Sequence, residues 1–172
     1  PASSETTFTY RGKTTAYDNG IPQIFINSSR DTKTKDINLY TDTTKTKVNA
    51  SLMIKGADGS TTEVSNSGTV NVRGNSTSLA DKKAYNLKFN SSINPFGMGS
   101  AKKWSLLANI FDKTLIRNHM GLDFQRYLES TQTPFANNVS KAFTSNCKNV
   151  DLYVDGKYLG TYLLTESVEV GA

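Results

Sequence analysis

The chain has 172 residues, of which 36% are apolar and 20% charged, with a net charge of +5; this suffices for one domain with a core of its own. A single cysteine, Cys147, excludes an intrachain disulfide, and a single histidine, His119, excludes a multi-histidine metal site. No run of about 18 apolar residues is present, so no membrane span is expected, and the pI of about 9.2 is not accompanied by the aromatic strand, zinc spacing or basic helix of a nucleic-acid binder.

In chain order, residues 1–20 read as a polar tail or linker with a short strand around Thr7–Tyr10, and 21–172 as a single α+β domain. Ile21–Ile26 is a predicted strand, with Pro22 near its start favouring an edge or a strand beginning. Val48–Lys55 alternates through Val48, Ala50, Leu52 and Ile54, which buries one face. Ala57-Asp58-Gly59-Ser60 is a turn signal before a strand at Thr61–Val64. Thr69–Arg73 is a separate strand that runs into a Gly74-Asn75 turn. Ala84–Phe89 places Tyr85, Leu87 and Phe89 on one face, with Lys88 opposite. Trp104–Ala108 has the continuous apolarity of a fully buried strand.

A helix is predicted from Asp112, read as its N-cap, to about Glu129. Ile116, Met120, Phe124 and Tyr127 share one face at three- and four-residue steps, the face expected to pack on the sheet. Gly121 costs that helix about 1 kcal/mol relative to Ala. Thr133-Pro134 ends the connection. Val150–Val154 and Tyr158–Thr165 form a hairpin about Asp155-Gly156-Lys157. The fold class expected is α+β: mainly antiparallel sheet with one principal helix at about 112–129. Cys147, just before an apolar strand, reads as structural, and His119 as a helix residue facing packing or solvent.

Positive charge is concentrated in one segment. Residues 72–118 hold Arg73, Lys82, Lys83, Lys88, Lys102, Lys103, Lys113 and Arg117 against only Asp81 and Asp112. Such a concentration beside a turn of small polar residues suits a phosphate-bearing ligand. Arg73 at the turn can grip phosphate in bidentate fashion, although a salt bridge that fixes the turn is the plainer use of it. Arg117 has the same two uses, with Asp112 or Glu166 as its pairing partner. Trp104 can stack on a base, though a lone Trp opening an apolar strand is more often core.

Five ordered blocks carry a resemblance: Arg73-Gly74-Asn75-Ser76-Thr77; Lys82-Lys83-Ala84-Tyr85 with Leu87-Lys88-Phe89; Lys103-Trp104-Ser105-Leu106-Leu107-Ala108-Asn109; Asp112-Lys113 with Arg117-Asn118; and Val150 through Glu166. Over residues 72–168 the chain resembles the spore-coat protein H (CotH) kinase family, atypical protein kinases that are secreted, at the cell surface or in the spore coat. The resemblance implies the nucleotide-lobe part of a kinase-like domain, using ATP and a divalent cation (Mg²⁺ or Mn²⁺) on Ser or Thr hydroxyls of a protein acceptor. It implies nucleotide or phosphate contacts from Arg73, Lys83, Lys88 and Arg117, with Glu166 orienting a lysine and Trp104 available for base stacking. The family's domain continues past its Tyr-Leu-Leu-Thr-Glu strand, and its catalytic and metal-binding aspartates lie there. The chain therefore resembles the N-terminal part of the domain, and no catalytic or metal-binding residue is expected within it. The other reading is a non-catalytic extracellular module, binding glycan or attaching within a cellulosome-like or spore-coat assembly. Tyr85, Trp104, Tyr153, Tyr158 and Tyr162 would then be its sugar-stacking rings.

Overall fold

A computed structural model describes residues 6–9, 13–16, 20–29, 31–58, 61–131 and 144–167. Strands β1 (Thr6–Thr9) and β2 (Lys13–Ala16) pair with each other as a separate antiparallel ladder. The other seven are β3 (Gln23–Ser29), β4 (Val48–Lys55), β5 (Thr61–Arg73), β6 (Ala84–Ile93), β7 (Ala101–Leu107), β8 (Cys147–Val154) and β9 (Lys157–Glu166). They close into a barrel in the order β3-β4-β5-β6-β7-β9-β8. The helix α1 (Arg117–Thr131) lies outside it. No described helix is long and apolar enough to cross a membrane.

The closed barrel corrects the expected fold, an open antiparallel sheet with a helix in the manner of a kinase nucleotide lobe. Closure comes from β3, which pairs antiparallel with β4 and parallel with β8, Gln23 against Asp151 through Ile26 against Val154. Alternation says which face of a strand is buried but not which edges meet, so closure is invisible to it. Inward residues from every barrel strand fill the interior: Ile24, Leu52, Val72, Tyr85, Trp104, Leu152 and Leu164 are among those at 3% exposure or less. A barrel of this strand number has room for side chains and no lumen.

The parallel pair is apolar on its outer face as well. Phe25 and Tyr153 stack there with ring centroids 4.7 Å apart, beside Met53, and Tyr158 tilts against Tyr153 at 5.0 Å. The unbroken runs Ile24-Phe25-Ile26 and Leu152-Tyr153-Val154 therefore mark strands buried on both sides. Closure is also pinned at the β8–β9 turn. Asp155 and Gly156 take φ of 47° and 81° there, values of the tight hairpin turn that Asp-Gly favours. The Asp155 carboxylate accepts the Ser28 backbone N–H at 2.7 Å and its hydroxyl at 2.6 Å.

Several strands start or end a few residues from expectation, and two elements differ more. The strands predicted at Thr61–Val64 and Thr69–Arg73 are one strand, β5, which turns across its partners at Gly68 (φ 146°). A Cβ there would lie 1.8 Å from the Lys88 carbonyl oxygen, so only glycine permits the approach. Of the Ala57–Ser60 turn, Gly59 and Ser60 lie outside the described residues, as do Tyr10, Thr133 and Pro134. The helix begins at Arg117 rather than Asp112, because Leu115 takes φ of 60° and interrupts it. Its predicted packing face is also reversed: Ile116, Met120, Phe124 and Tyr127 are 46–63% exposed.

Candidate functional site

The cleft that draws most on the basic segment sits where β5 and β7 end and α1 begins. It has a volume of about 340 Å³ and is lined by Arg73, Thr77, Leu107 to Asp112, Arg117 and Asn118, with Ala84 at its side. Each polar group arrives by a specific local device.

Arg73 is the last residue of β5 and is exposed. No ion-pair or hydrogen-bond partner holds its guanidinium among the described residues. The chain then doubles back: Gly74 takes φ of 102°, and a Cβ on it would meet the Thr77 hydroxyl oxygen at 1.8 Å. A short 3₁₀ turn at Ser76–Leu79 follows, with the Ser78 N–H and hydroxyl both donating to the Asn75 carbonyl. Asn109 takes φ of 49°, a conformation asparagine tolerates better than most residues. Its amide oxygen accepts from Asn118 Nδ2 at 2.7 Å, and its own Nδ2 donates to the Leu115 carbonyl.

Asp112 closes the far side. One carboxylate oxygen accepts the Thr114 hydroxyl at 2.6 Å and the Thr114 N–H, and the other accepts the Arg117 N–H at 2.9 Å. It thus caps the helix start from five residues upstream. The Thr114 hydroxyl first, then the Arg117 N–H, hold its carboxyl below the usual carboxylate range. Arg117 lies 3.6 Å from Asp112 but leaves 79% of its side chain exposed, an ion pair of little strength.

A second cleft of about 510 Å³ adjoins the first and shares Arg73, Leu107 and Asn118 with it. It runs between α1, at Leu122, and the barrel wall at Asn86, Ser105, Thr165 and Glu166. Arg73 therefore stands between the two clefts, with Arg117 on one side and Glu166 on the other.

Neither Lys83 nor Lys88, the lysines that the resemblance implies for phosphate contact, lines this cleft. Lys83 is 7% exposed, and its ammonium donates to the Ser78 carbonyl at 2.7 Å, holding the 3₁₀ turn that carries Thr77. Its own carbonyl accepts the Tyr162 hydroxyl at 2.8 Å. Lys88 is exposed on the barrel wall opposite Lys103. Lys82 donates to the Thr161 carbonyl at 2.6 Å with its ammonium 4.5 Å from the Tyr162 ring centroid, and burial pushes its pKa down. It lines a different cleft, with Tyr40, Lys157 and Tyr158.

Trp104 is fully buried, and its Nε1–H donates to the Ala101 carbonyl at 3.1 Å. That leaves no face for a base. Of the rings considered for sugar stacking, Tyr85, Trp104, Tyr153 and Tyr162 are each at most 5% exposed, and Tyr158 is 50% exposed.

Thr77 and the paired amides of Asn109 and Asn118 are the uncharged polar groups of the cleft, all three within the motif blocks. Their signal lies in the sequence: a Thr three residues after Gly74, an Asn just past β7 and an Asn in the first turn of α1. A family model described as CotH kinase protein matches residues 70–171, more than half of the chain. No curated protein matches it.

Proposed function

The chain belongs to the CotH kinase protein family, and from that premise we propose that its Arg73–Arg117 cleft binds the phosphates of a nucleotide, ATP in the family's reaction. One observation carries this reading: two arginines from separate elements, one of them without a partner among the described residues, meet the Asn109–Asn118 amide pair at a single cleft. Guanidinium groups and neutral amides are the donor set that anionic oxygens require. Thr77, held against Gly74, adds a hydroxyl at the same edge.

The reaction proposed for a domain of this family is transfer of a phosphoryl group to a Ser or Thr hydroxyl of a protein acceptor, in a spore coat or outside the cell. A divalent cation, when bound, bridges phosphate oxygens and neutralises the charge that develops on them. The described residues of this cleft do not fit such an ion. Their one carboxylate, Asp112, already accepts from Thr114 and from the Arg117 backbone. The part assigned to this chain is therefore phosphate binding and orientation, with Glu166 lining the adjoining cleft that Arg73 also lines.

Calorimetric titration with a non-hydrolysable ATP analogue tests the proposal. Binding should weaken with added salt, and Arg73→Ala should cost about 1–3 kcal/mol. Affinity that is the same in Arg73→Ala and Arg117→Ala as in the parent would sink it.

A further inference from the structure

We propose that α1 and the first residue of β8 carry a zinc-type metal site formed by His119, Asp123 and Cys147. The sequence has one histidine and one cysteine, and the fold sets them beside each other with a carboxylate between. A nitrogen, a carboxylate oxygen and a sulfur from these three residues all lie within 4.8 Å of one another.

Zn²⁺ binds imidazole nitrogen and carboxylate oxygen at about 2.0–2.2 Å and thiolate at about 2.3 Å, so tetrahedral ligand atoms stand roughly 3.3–3.8 Å apart. His119 Nε2 and Asp123 Oδ2, one helical turn apart, are already 3.3 Å from each other. The sulfur needs to approach by only about 1 Å to complete three corners, a shift within reach of a cysteine rotamer and the edge of a helix. Cys147 is half-buried with a free thiol, and the Asp123 side chain is 56% exposed. The fourth corner therefore faces solvent and suits a water.

The donor types choose the metal. Mg²⁺ and Ca²⁺ take oxygen ligands, whereas one imidazole, one thiolate and one carboxylate suit a borderline ion such as Zn²⁺. Binding releases the thiol proton and whatever proton Nε2 holds toward Asp123. The site is separate from the cleft but mechanically joined to it. His119 follows Arg117 and Asn118 directly, and α1 rests on the barrel chiefly through β8, so a bound ion staples the helix that supplies two cleft residues.

The test uses the full chain, purified metal-free under reducing conditions and titrated with cobalt(II) as the spectroscopic probe. The expected result is one equivalent bound, with a thiolate-to-cobalt charge-transfer band and the intense visible bands of tetrahedral geometry, all displaced by zinc. Cys147→Ser should abolish the charge-transfer band. Asp123→Asn, on an exposed position where folding is not at stake, should lower zinc affinity by at least the roughly tenfold that loss of even an outer-shell partner costs. Arg73→Ala should bind cobalt as the parent does. Absence of stoichiometric uptake, or uptake and spectra unchanged in both Cys147→Ser and Asp123→Asn, overturns the proposal.

Discussion

Arg73 owes its place in the cleft to the residue after it. With φ at 102° and the Thr77 hydroxyl packed against its Cα, Gly74 cannot become alanine without opening the loop. Gly74→Ala is expected to destabilise the barrel by about 1–3 kcal/mol and to weaken nucleotide binding along with it, measured by denaturant unfolding and calorimetry on the same preparation. Wild-type stability and affinity in that variant would mean that the loop does not position Arg73. At this scale the sequence was informative about Arg73 and Arg117, whose positions beside a turn and a helix start follow from neighbouring residues. It did not reveal the surroundings of Lys83. A lysine at a strand entry looks like a free cation, and only the folded chain shows its ammonium spent on the Ser78 carbonyl. Trp104 was ambiguous for a related reason, since an aromatic that opens an apolar strand has the same neighbours whether it caps a core or lines a pocket.

For α1 the period was legible and the direction was not. Ile116, Met120, Phe124 and Tyr127 do share a face, but that face points to solvent, because periodicity fixes a stripe and not the element it meets. Phe124→Ser should accordingly change stability by less than about 0.5 kcal/mol, where a core phenylalanine would cost several times that; urea midpoints of the two proteins decide it. The start of the helix depends on Asp112. Its folded pKa lies below the ordinary value, so the native state binds fewer protons than the unfolded state in that range. Its contribution is present above about pH 3.9 and is lost as the pH falls through the folded pKa. Acidification should fray the first turn of α1 in the parent, seen by amide exchange at Arg117, while Asp112→Asn should show a frayed turn already at neutral pH and little further change.

The molecule as a whole is a barrel packed around two phenols that titrate against folding. Burial, first of all, raises the pKa of both Tyr85 and Tyr162 above the ordinary tyrosine range. Above about pH 10 the unfolded chain therefore releases protons that the native state keeps, and stability should fall by about 1.4 kcal/mol per pH unit for each phenol. Tyr85→Phe and Tyr162→Phe should each flatten that alkaline slope; an unchanged slope in the double variant would locate the alkaline sensitivity elsewhere. The β4–β5 and β8–β9 pairings were readable from their Asp-Gly turns, and the helix from its period. Barrel closure was not, although a trace of it was present in the unbroken apolar runs at Ile24–Ile26 and Leu152–Val154, which an outward-facing edge strand would not carry.

The parallel seam between β3 and β8 also sets a timetable. β4 can dock on β3 as soon as the two strands exist, but the seam joins Gln23 to Asp151, and the loop between them must be gathered before any of its contacts repay the lost chain entropy. Refolding is therefore expected on the millisecond-to-second scale of non-local β topologies, with the β3 edge open until the β8–β9 hairpin arrives. The Ser28–Asp155 clip forms at that last step. Ser28→Ala should thus speed unfolding and leave the refolding rate nearly unchanged in stopped-flow measurements; a variant that slows refolding instead would mean that the seam nucleates the barrel rather than completing it.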